Sequence, residues 1–243
     1  MPAMLWLRSL LFNLYLYLMT VLVAVCGSPA MLLPRPASHQ VTRVWAGLVN
    51  AGLRIICNIR IEIRGREHLP ANGAALIASK HQSMWDTIVF FSLLPDIVYV
   101  LKKQLSYIPF FGWYTIRAGM IRVDREGHAS ALRGLVKQAK ARIAQGRSIM
   151  IFPEGTRSEP GAKLEYKPGV AAIYGQLDVP CVPVALNSGV FWPRRKFLRY
   201  PGVIVLEFLP PIAPGLNRRD FMRTLEERIE SASQRLLAEA RES

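Results

Sequence analysis

Two polar side chains, His81 and Asp86, are the best candidates in this sequence for moving a proton. His81 follows an apolar run at residues 74–78 that is typical of a buried strand, and it precedes a short apolar stretch, 85–94, that is typical of a helix. Ligands gather at such carboxyl ends of strands in open α/β sheets. On one ideal helix the spacing would separate the two side chains by about 140°. The pair therefore meets only if His81 lies in the turn and Asp86 folds back from the first helical turn.

In that arrangement Asp86 would hold the proton on one imidazole nitrogen, while the other nitrogen of His81 takes a proton from a substrate hydroxyl. The spacing alone is a weak signal, because polar residues also decorate ordinary helix N-termini. Ser83 lies between them as an alternative nucleophile. A substrate group that His81 activates can react directly, so the pair needs no nucleophile from Ser83.

A second candidate group, residues 152–158, also follows a strongly apolar run and has the sequence Phe-Pro-Glu-Gly-Thr-Arg-Ser. Its proline and glycine predict a turn, and Gly155 would let the backbone approach a ligand closely. Arg157 offers a planar fork suited to a phosphate or a carboxylate. Thr156 adds a hydroxyl donor, and Glu154 could orient the arginine or accept from a substrate hydroxyl. The alternative is an ordinary turn with an exposed salt bridge.

Seven short runs that are apolar or alternate between apolar and polar residues predict strands, and helical patterns lie between them. The predicted strands cover residues 59–63, 74–78, 97–101, 120–123, 149–152, 181–186 and 203–208. A helix is expected over 130–145, ended by Gly146, and a last helix begins at Asn217 with Asp220 as its capping partner. This alternation predicts an α/β fold with a mostly parallel or mixed sheet flanked by helices.

The N-terminal part of the chain is its most apolar part. Residues 4–26 contain Arg8 as their one charged residue, and this stretch of about 23 residues is long enough to cross or enter a bilayer. A cleaved signal peptide is the alternative. Residues 41–57 have helical spacing that fits either an interfacial helix or a helix packed on the core. We expect residues 1–57 to form membrane-anchoring helices and residues 58–243 to form the α/β domain.

Composition supports a partner with negative charge. Hydrophobic residues make up 51% of the 243 residues, so apolar surface beyond an ordinary core must be covered. Lys and Arg number 31 against 17 Asp and Glu, a net charge of +14. Basic residues follow the apolar N-terminal stretch closely: Arg35, Arg43, Arg54, Arg60, Arg64 and Arg66. This placement favours anionic lipid headgroups over nucleic acid, and it predicts a domain that faces the cytoplasm.

Four blocks together resemble the glycerolipid acyltransferase superfamily, in particular its bacterial 1-acyl-glycerol-3-phosphate acyltransferases. The blocks are residues 80–86, 119–125, 152–158 and 182–185, in the order that the family has them. The third block is highly specific. Lys80 departs from the family pattern, since many members have asparagine before the histidine. Arg122 departs as well, because an apolar residue is frequent there.

The resemblance implies an enzyme that transfers a fatty acyl group from acyl-CoA or acyl carrier protein to the sn-2 hydroxyl of lysophosphatidic acid. The product would be phosphatidic acid for phospholipid synthesis, made at the bacterial inner membrane. His81 would be the general base and Asp86 its orienting partner. The expected substrate-binding residues are Glu154, Gly155, Thr156, Arg157, Arg125, Arg122 and Lys103. Of these, Lys103 is a candidate for the donor's phosphates or for an oxyanion.

The resemblance implies no metal and no cofactor, because the acyl thioester is a substrate. The three cysteines are scattered and lack paired spacing, so neither a disulfide framework nor a zinc site is expected. Two alternative functions stay open at this point. One is an O-acyltransferase for another acceptor, such as a lysophospholipid or a lyso-amino-acid lipid. The other is a basic, membrane-tethered lipid-binding protein without catalysis.

Overall fold

The fold is built around one sheet, seen in a computed structural model that describes residues 2–71, 73–108, 110–124 and 128–242. Within these residues seven strands form the sheet in the order β1-β7-β6-β2-β5-β3-β4. The strands are β1 Ile59–Arg64, β2 Leu76–Ser79, β3 Val98–Lys102, β4 Ile121–Val123, β5 Ile149–Ile151, β6 Cys181–Leu186 and β7 Gly202–Phe208. Neighbours are parallel except β6 and β7, which are antiparallel. The predicted mixed α/β sheet is confirmed.

The central strands are apolar on both faces, which explains why the sequence predicts them as continuous apolar runs. Every residue of β2, β5 and β6 is buried or nearly so, as expected for strands covered by helices on both sides. The predicted strand at 74–78 is displaced to Leu76–Ser79. Ala75 lies just before the strand: its carbonyl accepts the N–H of Ile149 at 2.9 Å, but its own N–H donates to the Ser148 hydroxyl at 3.1 Å.

Eight helices accompany the sheet in the described residues. They are α1 Pro2–Cys26, α2 Arg35–Cys57, α3 Trp85–Leu93, α4 Phe111–Arg117, α5 His128–Ile143, α6 Gly169–Tyr174, α7 Ser188–Phe191 and α8 Arg218–Glu242. The predicted cap of α8 is present, since the N–H of Asp220 donates to Asn217 Oδ1 at 3.0 Å. Gly146 follows α5 with a positive φ of 72°, the conformation that ends helices.

Helix α1 exposes most of its apolar side chains. Among the described residues it is the one helix long and apolar enough to cross a membrane. Trp6, Leu14 and Leu18 are more than half exposed, whereas Phe12 and Leu16 are buried against the rest of the protein. An outward face of this kind would be covered in a bilayer.

Helix α2 lies between α1 and the sheet domain. Tyr15 of α1 donates its hydroxyl hydrogen to the carbonyl of Leu48 in α2 at 3.0 Å. On the other side Trp85 of α3 donates from Nε1 to Asn50 Oδ1 at 2.9 Å. The sequence allowed either an interfacial helix or a helix packed on the core. The inner face of α2 is packed on the core, where Leu53 is fully buried. Anchoring of residues 1–57 in a membrane stays a prediction.

A group of ion pairs joins the start of α2 to the amino edge of the sheet. Asp96, in the turn before β3, has its carboxylate oxygens 2.7 Å from Arg35 Nη2, 2.6 Å from His39 Nε2 and 2.8 Å from Arg147 Nη2. Arg147 is almost fully buried, just before β5. Burial lowers the pKa of His39 below its ordinary value, and this effect outweighs the attraction of Asp96; Arg147 and Arg35 lower the pKa further.

We therefore expect the free energy of unfolding to fall as the pH drops through 6.5, the ordinary pKa of histidine. The unfolded chain takes up a proton there that folded His39 does not, so stability decreases until the lowered folded pKa is reached. Urea titrations of detergent-solubilised protein at a series of pH values measure this slope. His39→Gln should flatten it, and equal slopes for the wild type and His39→Gln would contradict the assignment.

Candidate active site

His81 and Asp86 meet in the way that their spacing demanded. His81 lies in the turn after β2, outside any helix, and Asp86 is in the first turn of α3. Imidazole Nδ1 lies 3.0 Å from Asp86 Oδ2. Among the described residues none hydrogen-bonds the other ring nitrogen, Nε2, and the imidazole is slightly exposed. With the Nδ1 hydrogen donated to Asp86, Nε2 is left to accept a proton from a substrate.

Asp86 is fully buried and receives four hydrogen bonds. Besides His81, the backbone N–H groups of Gln82 and Ser83 donate to Oδ2 at 2.6 and 2.8 Å. The hydroxyl of Ser188 donates to Oδ1 at 2.5 Å. A buried carboxylate with its oxygens satisfied in this way is held in one orientation. It can therefore hold the imidazole in one orientation too.

Ser188 is a residue that sequence reasoning missed. It begins the short helix α7 directly after β6 and stands 102 positions from Asp86. Its one sequence signal is its place three residues after the last resembling block, at the carboxyl end of a buried strand. Ser83, by contrast, uses its hydroxyl as an acceptor for the Trp85 N–H at 3.2 Å, so it serves the start of α3.

The turn after β5 forms one wall of the site. The ring of Phe152 stacks on the His81 imidazole with centroids 4.0 Å apart. Gly155 has a φ of +67°, which is costly for other residues and explains why glycine is needed in this turn. The N–H of Ser158 donates to the His81 carbonyl at 2.8 Å. The turn is therefore bonded directly to the loop that carries His81.

Glu154 belongs to this turn, and both of its carboxylate oxygens contact other groups of the protein. Oε2 accepts the backbone N–H of His81 at 3.0 Å, and Oε1 lies 2.8 Å from Lys80 Nζ. Burial raises the pKa of Glu154, and the nearby Lys80, His81 and Ser158 donors offset part of the rise. Glu154 thus positions the His81 backbone, whereas its predicted contact with substrate stays a prediction.

Lys80, the departure from the family pattern, is the centre of a buried polar network. Its ammonium pairs with Glu154 and also with Glu230 of α8 at 2.8 Å, and it donates to the carbonyl of Ala162 at 3.1 Å. The hydroxyl of Tyr166 donates to Glu230 at 2.9 Å. Lys80 is 1% exposed. The lysine therefore links the turn that carries His81 to the C-terminal helix.

The predicted substrate-binding cations differ in where the structure places them. Arg157 is half-buried; burial and then the charge of Arg194 lower its pKa, while nearby Asp86 opposes the shift. Arg122 is exposed on the edge strand β4. Lys103 is exposed beyond β3 and lies 3.4 Å from Asp124. Arg125 is outside the described residues.

Strand topology brings these segments to one edge of the sheet. The parallel strands β2, β3, β4, β5 and β6 end on the same side, so the turns that follow them line a common edge. His81 contacts the 152–158 turn there, and Ser188 bonds Asp86. Thr156 is exposed in the turn, open to solvent. An imidazole base beside an arginine fork can deprotonate a hydroxyl while the arginine holds an anionic group of the same molecule.

Comparison with known proteins agrees with this chemistry. A protein-family model described as acyltransferase matches residues 60–187. The chain is 35% identical over 176 residues to the 1-acyl-sn-glycerol-3-phosphate acyltransferase of Pseudomonas aeruginosa, covering 72% of this chain and 68% of that protein. It is 30% identical over 171 residues to the mouse 1-acyl-sn-glycerol-3-phosphate acyltransferase alpha, covering 69% and 60% of the two chains.

A solved structure shares the fold. The crystal structure of the Thermotoga maritima 1-acyl-sn-glycerophosphate acyltransferase, PlsC, superposes with a TM-score of 0.80 at 22% identity, over 96% of this chain and 97% of that one. Sheet, site and matched region together define an enzyme that transfers acyl groups. This chain belongs to the acyltransferase family. The predicted resemblance and the predicted enzyme class are both confirmed, and the lipid-binding protein without catalysis is set aside.

Ser188→Ala should lower kcat about tenfold, the effect of one lost hydrogen bond to a charged group. Asp86 would keep its place but lose the donor on Oδ1, so the imidazole would be held less firmly. Steady-state acyl transfer measures the change. Ser231→Ala, at an exposed serine of α8, is the matched control. A kcat equal to that of the wild type would show that the Ser188 bond is not used.

Lys80→Met should lower the free energy of unfolding by about 3 kcal/mol, because the buried Glu154 and the partly buried Glu230 lose their shared cation. Urea unfolding followed by tryptophan fluorescence measures the loss. Lys163→Met is the control, since that lysine pairs with Glu226 at 2.7 Å but is well exposed, and its removal should change the midpoint little. Equal losses for the two variants would contradict a structural role for the buried network.

Proposed function

We propose that this acyltransferase transfers a fatty acyl group from an acyl thioester to the sn-2 hydroxyl of 1-acyl-glycerol-3-phosphate, giving phosphatidic acid for phospholipid synthesis. The observation that carries the proposal is the 3.0 Å contact between His81 Nδ1 and Asp86 Oδ2 beside the arginine turn. The relatives in Pseudomonas aeruginosa and mouse are named for the same reaction. The proposed donor is acyl-CoA or acyl carrier protein, which present the same thioester.

The proposed reaction proceeds by direct attack. His81 Nε2 takes the proton from the sn-2 hydroxyl, and the oxygen forms a bond to the thioester carbonyl carbon. The tetrahedral intermediate then collapses, the carbon–sulfur bond breaks, and the thiolate leaves with the proton that His81 returns. Asp86 keeps the Nδ1 hydrogen in place and stabilises the imidazolium formed in between. The reaction requires neither a metal nor a cofactor.

Arg157 is proposed to bind the acceptor's phosphate. Its guanidinium can form a bidentate pair with phosphate oxygens, and it is held close to Asp86 by a turn that also touches His81. Gly155 and Thr156 would shape the glycerol end of the site. Arg122, Arg125 and Lys103 are proposed as further contacts, with Lys103 toward the phosphates of the donor.

The proposed location is the bacterial inner membrane, with the catalytic domain facing the cytoplasm. The exposed apolar face of α1 supports association with a bilayer, which also dissolves the acceptor. Basic residues after α1 support contact with anionic lipids on the cytoplasmic side. Residues 1–57 are proposed as the anchor, and residues 58–243 as the catalytic domain.

The proposal is tested with purified full-length protein, a labelled acyl thioester and a panel of lysolipid acceptors. The wild type should acylate 1-acyl-glycerol-3-phosphate in preference to other lysophospholipids. His81→Ala should lose about a hundredfold to ten-thousandfold in kcat while keeping the fold, because that is the usual contribution of general-base catalysis. Arg157→Ala should raise KM for the phosphate-bearing acceptor.

His68→Ala is a control for loss of a histidine, since His68 lies outside the site and contacts the Phe208 carbonyl. No transfer to 1-acyl-glycerol-3-phosphate by the wild type would overturn the proposal. Preference for another lysolipid would assign the enzyme to that acceptor. Full activity of His81→Ala would overturn the mechanism.

A further inference from the structure

The loop of residues 192–200 brings a further arginine, Arg194, to the site. It follows α7, whose first residue bonds Asp86, and it lies beyond residue 187, where the family match ends. In it Arg194 donates from Nη1 to the backbone carbonyl of Arg157 at 2.6 Å. Arg195 and Lys196 come next and are exposed.

The basic residues of this loop and Arg157 have no carboxylate partners in the described part of the chain. Among the ion pairs of the described residues, none joins Arg157, Arg194, Arg195 or Lys196 to a carboxylate. The charges of Arg194 and Arg195 both act on Arg157 and, after burial, help to lower its pKa. Asp86, the opposing charge, already accepts four hydrogen bonds. Like charges held together without acidic partners are relieved when an anion binds among them.

The same loop is bonded to α1. The backbone N–H of Arg199 donates to the Ser9 hydroxyl at 2.9 Å, and its guanidinium donates from Nη2 to Asn13 Oδ1 at 3.1 Å. The ring of Phe197 lies 5.2 Å from that of Trp6. Helix α1 is the element with the exposed apolar face. The loop that carries Arg194 is therefore attached directly to the helix that would meet lipid.

Arg199 also shapes the loop from inside. Its Nη1 donates to the carbonyls of Lys196, Phe197 and Leu198 at 2.8, 2.8 and 3.1 Å, and its guanidinium lies 4.7 Å from the centre of the Trp192 ring. One buried cation thus holds the loop in a single conformation. A site organised before binding loses less entropy when its ligand arrives.

We propose that Arg194 binds, together with Arg157, the phosphate monoester of the lipid acceptor. This inference rests on the proposed function and extends its phosphate site beyond the family's matched region. Phosphates of the acyl donor have similar chemistry. The attachment of the loop to α1 favours the acceptor, because that substrate lies in the lipid phase.

The test compares Arg194→Gln with the wild type in mixed micelles, varying acceptor and donor separately. We expect KM for 1-acyl-glycerol-3-phosphate to rise about tenfold, as for the loss of a charge-assisted hydrogen bond. KM for the acyl thioester should stay unchanged, and kcat should change little. Arg194→Lys should recover part of the loss. Arg219→Gln, at an exposed arginine of α8, should behave as the wild type.

A second acceptor separates phosphate binding from a change in shape. A monoacylglycerol has the same hydroxyl without the phosphate, and Arg194→Gln should use it as well as the wild type does. An unchanged KM for the phosphate-bearing acceptor, or a rise in the KM for the donor instead, would overturn the role of Arg194. Absence of transfer by the wild type would contradict the proposed function itself, so the two failures are distinguishable.

Discussion

The hydrogen bond between His81 and Asp86 involves a buried carboxylate. Much of the structure around the site supplies the hydrogen-bond donors that this buried charge needs. Burying a charge without partners is costly. Here α3 begins immediately after the turn, so two backbone N–H groups reach Asp86, and α7 brings the Ser188 hydroxyl to its other oxygen. The order of strands β6 and β2 as neighbours puts α7 beside α3. The position of β6 beside β2 is thus a condition for the hydrogen-bonded arrangement of His81 and Asp86.

A second group of charges contacts the turn that carries His81. Lys80 stands between Glu154 and Glu230, and Glu154 accepts the backbone N–H of His81. Since Glu230 belongs to α8, the last helix contributes to a site whose other residues lie between positions 80 and 188. Such pairs cost desolvation and often add little net stability. Their use here is consistent with positioning, because the network touches the backbone of His81.

Sequence patterns were sufficient for the sheet and for the contact between His81 and Asp86. The apolar runs of β2, β5 and β6 are buried on both faces, and His81 and Asp86 are close in sequence, so local geometry decided whether they meet. Ser188, Glu230 and Arg194 were not predictable in the same way. Each reaches its partner across a long separation, 102 positions for Ser188 and 150 for Glu230. Only the strand order and the docking of α8 bring them together, and no local pattern encodes either.

The most direct test of the central claim is the position of the proton on His81. Nitrogen NMR of protein labelled with ¹⁵N-histidine distinguishes the two neutral tautomers of the ring. The hydrogen bond to Asp86 predicts that neutral His81 has its hydrogen on Nδ1, and that Asp86→Asn disturbs this preference. A wild-type spectrum with the hydrogen on Nε2 would contradict the account, because that nitrogen could not accept the proton of a substrate hydroxyl.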